Sequence, residues 1–393
     1  MRKAYFDHIA ATPLHPQALE AMLPYLRDVY GNPQSLHSAG QQALAAVEAA
    51  REEVAGLIDA ASEEVYFTSS GSEANNFALK GLAQAYQSKG RHIVVSAVEH
   101  LSVLNSVKSL EKLGFTATAV PVDRTGRVEP ADVEKALRKD TVLVSVMTAN
   151  GEVGTVQPVA EIARVCRSRD VLFHTDAVAA AGSLPIDVKA TGVDALSLAG
   201  DQFYGPKGSA ALFMKRGTRI LPLIEGGIQE SGRRAGTENV AGIVGLGKAA
   251  AIAKAELEAR TARLRPLRDV LIEELPRLVE RVVLTGHPVE RLPHHASFCV
   301  EFIEGEGMLL LLDMQGISVS SGSACTSKAL KASHVLLAMG FDHALAQGSL
   351  VFSLIDGTVR EDVDHLLDAF PTVIDRLRKM SPLYTQYLKE RIA

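Results

Sequence analysis

Between about residue 64 and residue 214, short apolar runs alternate with stretches of helical period. Val65–Thr68 reads as a strand and Glu73–Tyr86 as the helix after it. His92–Ser96 reads as a strand and Ser102–Leu113 as a helix. Thr116–Val120, Val142–Val146 and Val171–His174 repeat the strand pattern, with Pro158–Arg167 as a helix between the last two. Ala195–Leu198 and Ser209–Met214 close the series. Strands alternating with helices in this way build βαβ units. The pattern predicts an α/β fold with a mostly parallel sheet, whose ligands gather outside the carboxyl ends of the strands.

Beyond the series, the Ala- and Gly-rich segment Asn239–Lys254 reads as a packed helix, and Ala255–Glu280 as a charged amphipathic bridge. Strands then follow near Val282–Thr285, His295–Phe302 and Ser349–Ser353, covered by helices near Gly307–Met314, His334–Met339 and Arg360–Lys379. We expect a large domain over 16–255. A smaller α+β domain takes 256–393, with residues 1–15 returning to it. A chain of 393 residues, 47% hydrophobic, is long enough for two such cores.

Charge and composition narrow the function. The net charge is −5 with no long basic run, so nucleic acid is not expected as a partner. No apolar run approaches the roughly 18 residues of a membrane span. The opening MRKAYFDHIAATPLHP has no apolar core of the kind a signal peptide carries and reads as mature protein. Three cysteines, Cys166, Cys299 and Cys325, are too scattered for a disulfide framework or a CxxC metal site, and a reducing cytoplasm is the natural setting.

Four segments carry candidate chemistry. Phe67-Thr68-Ser69-Ser70-Gly71-Ser72-Glu73-Ala74-Asn75-Asn76 lies between a strand and a helix. Small residues there let N–H groups approach an anion, so it is either a phosphate seat or an ordinary capping turn. His174-Thr175-Asp176 ends an apolar strand, where Asp176 can pair with a protonated ring nitrogen or cap the next turn. His100, after the strand His92–Ser96, can stack on a flat cofactor, move protons or be structural. Ser320-Ser321-Gly322-Ser323-Ala324-Cys325-Thr326-Ser327 sets a cysteine among small polar residues, which makes Cys325 the candidate reactive thiol or a buried loop cysteine. Cys166 and Cys299 fall in a helix and an apolar strand and read as core.

Together these segments resemble the cysteine desulfurases of the NifS/IscS kind, in the fold-type-I class of pyridoxal phosphate (PLP) enzymes. The likeness is collinear from Gly31-Asn32-Pro33-Gln34-Ser35 to Ser381-Pro382-Leu383-Tyr384, through Tyr204-Gly205-Pro206-Lys207-Gly208 and Gly236-Thr237-Glu238-Asn239. The resemblance implies a homodimer with PLP at its interface and an IscU-type scaffold as sulfur acceptor. It assigns Gly71 and Ser72 to the phosphate, His100 to the ring face and Asp176 to the ring nitrogen. Thr237 would reach the partner subunit's phosphate, and Cys325 would be the sulfur-carrying thiol. The short form of the Cys325 segment resembles the subgroup that serves iron–sulfur assembly.

The departures from the family cluster in one pocket. The lysine that holds the cofactor covalently is Gln202, the histidine before it Asp201, and a phosphate-binding serine Ala199. The family's glutamine at the phenolic oxygen is Ala179, its asparagine beside the ring Gly151, and its substrate-clamping arginine Val351. Downstream, Gly-Arg has become Ile355-Asp356. An amide is neither basic nor nucleophilic, so Gln202 cannot attach PLP. The Gly286-His287-Pro288, Ile303-Glu304-Gly305-Glu306-Gly307 and Leu312-Asp313-Met314 segments resemble archaeal homologues that lack this lysine.

Three functions follow as expectations. The first is an iron–sulfur assembly protein with a degenerate PLP site, where Cys325 carries sulfur or ligates a cluster shared with the scaffold. The second is an active desulfurase with non-covalent PLP. The third is a pocket repurposed for another ligand, or for a metal held by His100, Asp176, Asp201 and His8.

Overall fold

A computed structural model describes residues 2–322 and 332–392. Twelve strands are present among them. They are β1 (Ala4–Tyr5), β2 (Val65–Thr68), β3 (His92–Ser96), β4 (Thr116–Val120), β5 (Thr141–Ser145) and β6 (Leu172–Asp176). Then come β7 (Ala195–Ala199), β8 (Ala210–Met214), β9 (Val282–Thr285), β10 (His295–Val300), β11 (Ile317–Ser318) and β12 (Ser349–Ser353).

The large sheet has the order β2-β8-β7-β6-β5-β3-β4. All pairs are parallel except the two made by β8. Because β8 is reversed against both neighbours, β2 runs the same way as β7, and the carboxyl ends of β2, β3, β5, β6 and β7 open on one edge. The central strands β3, β5 and β7 are buried at every position, as a sheet covered on both faces requires. A second, antiparallel sheet has the order β12-β10-β9, and β1 pairs with β11 in parallel. Phe6, Leu271, Phe298, Phe352 and Phe370 pack in a hydrophobic cluster around this second sheet.

The segment expected as a helix followed by a bridge is one helix, Val240–Leu278. Its charged half stays helical because Arg260, Leu264, Arg268, Leu271 and Leu275 keep one buried stripe. Two of these are arginines whose cations find partners. Arg260 stacks over the Tyr204 ring at 4.7 Å, and Arg268 donates to the Leu292 carbonyl at 3.1 Å.

The strand that leads into the 69–72 turn is an edge strand, and its outer side is satisfied by a buried ion pair. Glu230 accepts from the Phe67 N–H at 2.8 Å and from two Arg51 nitrogens at 2.7 and 2.8 Å. Arg51 also donates to the Val65 carbonyl at 2.8 Å and lies over the Phe67 ring. Glu230 adopts a φ of 50°, a left-handed conformation that few residues other than glycine take, so the pairing holds strained backbone in place. Removing Glu230 leaves the buried Arg51 cation with only the more exposed Glu48, at 3.3 Å, as its ionic partner. Glu230→Ala is expected to cost about 3 kcal/mol, read as a fall in the urea unfolding midpoint. An unchanged midpoint would show that the pair carries no net weight.

Candidate functional site

A cavity of about 500 Å³ lies at the carboxyl edge of the large sheet and is lined on one side by Val351 of the second sheet and by residues 320–322, which bridge to it. It brings Gly71, Ser72, His100, Asp176 and Gln202 together, although the sequence spreads them over more than a hundred residues. Thr237 is exposed and does not line the cavity of its own chain. Cys325 lies outside the described residues, while Ser320, Ser321 and Gly322, just before it, line the cavity.

The anion seat is local in origin. Ser70 caps the helix Gly71–Ala85 by accepting from the Glu73 N–H at 3.1 Å. A Cβ on Gly71 would come within 2.6 Å of a Val178 methyl, so a larger residue there would push the turn off the sheet edge. Glu73 closes the turn from outside, accepting from the Ser69 N–H at 2.9 Å and from Arg234 at 2.9 Å. Burial works to raise the Glu73 carboxyl, but Arg234 and Ser69 hold it below its ordinary value. The N–H groups of Gly71 and Ser72 remain at the positive end of a 15-residue helix, where a phosphate can sit.

Asp176 ends β6 with both oxygens engaged. One accepts from the Val178 N–H at 2.9 Å and the other from the Asn75 amide at 2.6 Å. Asn75 also donates to the Ser102 hydroxyl at 2.9 Å, and that hydroxyl lies 2.7 Å from Nδ1 of His100. The Ser102 N–H points at the same Nδ1, at 3.1 Å, so Nδ1 is the acceptor and the hydroxyl donates to it. Four side chains from three elements thus form one chain, Asp176–Asn75–Ser102–His100, which fixes the imidazole as cap of the helix Leu101–Glu111. Asn75 lies in the segment read as a phosphate seat, but its bond to Asp176 was not legible, and Ser102 was not read as a site residue. Their signal is only a small polar residue on the buried face of an amphipathic helix.

Gln202 turns away from the role its position implies. It ends the short 3₁₀ turn Gly200–Gln202, its amide donates to the Ile9 carbonyl at 3.2 Å, and its own carbonyl lies 2.9 Å from Nε2 of His8. Thr12 ties the Asp201 carbonyl with its N–H at 3.0 Å and its hydroxyl at 2.8 Å. His8 is buried beneath this turn, stacked on His294 with ring centroids 4.2 Å apart, and burial lowers its pKa to about 4. Among the described residues no set of three His, Cys, Asp or Glu is placed to hold a metal ion.

The other departures have been filled. A Cβ on Gly151 would meet Ile9 at 3.1 Å, so Ile9 occupies the room a longer side chain would need. Val351 is buried, and its backbone pairs with Ser320. Asp356 forms an ion pair with Arg263 on the long helix. No lysine or arginine lines the described part of the cavity, and Lys207 is exposed on the turn beyond it. The donor set fits a pyridine phosphate at its ring nitrogen and its phosphate but offers no amine to attach it.

Burial without cations raises the pocket's acids. The Glu99 carboxyl is pushed up to about 8, although Ser96 at 2.5 Å and the Met147 N–H at 2.9 Å both donate to it. Glu152 is pushed up to about 7, against a hydrogen bond from Ser333. Asp7, Asp176 and Asp201 are raised as well, burial being the main cause in each.

Comparison with known proteins gives a consistent picture. Residues 4–366 match the family model for aminotransferase class-V. The cysteine desulfurase IscS of Dictyoglomus turgidum is 48% identical, covering 97% of each chain. The cysteine desulfurase IscS of Methanosarcina thermophila is 47% identical over 97% of this chain and 94% of its own. A solved structure titled NifS-like protein superposes with a TM-score of 0.90 at 36% identity, over 96% of this chain and all of that one.

The raised acids give a pH signature. Glu99 is neutral in the folded protein up to about 8, against 4.5 for the free side chain. Its stabilising share is complete below about 4.5 and is lost as the pH rises through about 8. Glu99→Gln keeps an acceptor for Ser96 and Met147 and cannot ionise. Unfolding midpoints measured from pH 5 to 9 should fall less steeply in Glu99→Gln than in the parent, with the variant the more stable at pH 9. Parallel curves would show that Glu99 is charged throughout.

Proposed function

The chain belongs to the aminotransferase class-V family, on its IscS/NifS cysteine desulfurase branch, and from that premise we propose that it serves iron–sulfur cluster assembly without covalent PLP chemistry. Cys325 carries sulfur, or supplies a thiolate to a cluster, toward an IscU-type scaffold. The chain works as a homodimer in which Thr237 reaches toward the neighbouring pocket. The observation that carries this reading is Gln202: its amide is spent on the Ile9 carbonyl, and no lysine lies among the described residues of the cavity to replace it. In the family PLP supplies an electron sink for bonds to the substrate's α-carbon. A lysine would attach the cofactor and move protons at that carbon, and the Gln202 amide can do neither.

Residues that would hold non-covalent PLP remain, namely Gly71 and Ser72 for the phosphate, Asp176 for the ring nitrogen and His100 for the ring face. They support a second reading, an active desulfurase with exchangeable PLP. Against it stand the losses at Ala179, Gly151, Ala199 and Val351, each of which removes a polar partner of cofactor or substrate. Thiolate ligation needs none of them, since a cluster asks only for a sulfur donor at the right place.

Two measurements separate the readings. The purified protein should show no bound-PLP absorption and release no sulfide from cysteine above background. A cofactor band with sulfide release would favour the active enzyme. Anaerobic assembly with an IscU-type scaffold, iron and inorganic sulfide should give a stable cluster with the parent chain and at most a small fraction of it with Cys325→Ser. Equal yields from the two would remove Cys325 from the function.

A further inference from the structure

Glu152 stands in the turn that follows β5, and that turn is held from within. Asn150 accepts from the Glu152 N–H at 2.8 Å and the Val153 N–H at 3.0 Å, and its amide donates to the Val98 carbonyl at 2.9 Å. The Gly154 N–H returns to the Asn150 carbonyl at 2.8 Å. Glu152 is thus carried on fixed backbone, and its side chain meets two places that lie far along the sequence. Ser333 donates its hydroxyl to Oε2. A Cβ on Gly322 would lie 3.0 Å from the same oxygen, so the chain at 322 passes directly against it.

Gly322 and Ser333 stand on either side of residues 323–331, which lie outside the described residues and include Cys325. Each of these shoulders has its own support. Ser320 and Val351 exchange backbone hydrogen bonds at 2.8 and 3.2 Å. The Ser333 oxygen accepts from the Val335 and Leu336 N–H groups at 3.1 and 3.3 Å, which leaves its hydrogen for Glu152. What the two shoulders share is the Glu152 carboxyl.

We propose that Glu152 is a positioning residue for Cys325: one carboxyl holds both shoulders of the segment that carries the thiol, and so governs how readily the thiol meets a partner. This rests on the reading of Cys325 as the working thiol. Pinning both ends of a segment removes conformations from everything between them. A carboxyl can do so in a buried place only while its own burial is tolerated. Burial pushes Glu152 up to about 7, and the Ser333 hydroxyl opposes it only in part. The other titratable groups on the cavity's described walls are Asp7, Glu99, His100, Asp176 and Asp201, with no lysine or arginine to balance a charge on Glu152. His334, next to Ser333, sets its Nε2 3.0 Å from the Glu99 carbonyl. The neutral anchor is therefore complete at acid pH. As the pH rises through about 7, Glu152 ionises, its burial becomes costly, and the hold on the shoulders weakens.

Alkylation of Cys325 in the full chain tests it. The rate with iodoacetamide is followed by mass spectrometry and divided by that of free N-acetylcysteine at the same pH, which takes out the ordinary ionisation of a thiol. Cys166 and Cys299 are buried and leave the reading to Cys325. In the parent the ratio should rise about threefold from pH 6 to pH 8, the weight of one modest hydrogen bond, with its midpoint near 7. Glu152→Gln keeps an acceptor for Ser333 and cannot ionise, so it should hold the parent's pH 6 ratio throughout. Gly322→Ala crowds Oε2 and should raise the ratio at pH 6 toward the parent's value at pH 8. A parent ratio that is flat with pH, or an equal rise in Glu152→Gln, overturns the proposal. So does Gly322→Ala reacting like the parent at pH 6. If Glu152→Gln does not fold, the parent profile and Gly322→Ala decide the matter. Cluster assembly with Cys325→Ser separates this from the reading beneath it. A flat profile with assembly lost in Cys325→Ser sinks the role of Glu152 alone. The expected profile with assembly intact in Cys325→Ser sinks the role of Cys325 alone.

Discussion

Residues 7–12 are the constraint on which the rest of the site depends. Asp7 bridges to Ser353 at the end of β12, and the Ile9 N–H bonds the Ser353 hydroxyl at 3.0 Å. From there Ile9 reaches the Gln202 amide and Thr12 holds the Asp201 carbonyl. This short segment, turned at residues 8–10, thus ties the second sheet to the turn after β7 and lines the cavity. Each bond is an ordinary hydrogen bond of about 1 kcal/mol net. Together they fix both walls, because the segment has no freedom left to slide.

That strap explains how the pocket is packed at the positions where the resemblance leads one to expect other residues. Ile9 fills the room beside Gly151, and the Gln202 amide is a partner of the strap. Asp356 pairs with Arg263, and Val351 packs in the wall. The departures are mutually adjusted, as expected of interiors that tolerate few voids and few unpaired polar groups. Among its described residues the cavity carries no lysine or arginine, and burial raises its carboxyl groups.

Much of the fold was legible because the strands are short apolar runs and the helices between them amphipathic. Val65–Thr68, His92–Ser96, Thr116–Val120, Val282–Thr285 and Ser349–Ser353 were read at the bounds they have in the structure. Helix ends moved by a residue or two, as capping decides them. The helix expected from Glu73 starts at Gly71 because Ser70 is its cap. The continuity of Val240–Leu278 was missed because its charged half looks solvated in sequence, whereas Arg260 and Arg268 are buried against Tyr204 and the Leu292 carbonyl.

By itself the sequence determined the α/β class, the strand series and the identity of the residues at the pocket, including the absence of a lysine at position 202. These are local properties, carried by periodicity and by which chemical group stands at a given place. Only the tertiary structure decided what those groups do to one another. It ran Asp176, Asn75, Ser102 and His100 into one hydrogen-bonded chain, spent the Gln202 amide on Ile9, and left Glu99 and Asn75 each with a buried oxygen that has no hydrogen-bond partner among the described residues. The reason is physical. Burial and hydrogen bonding depend on residues that are neighbours in space and far apart in the chain, and no pattern along one strand or helix records them.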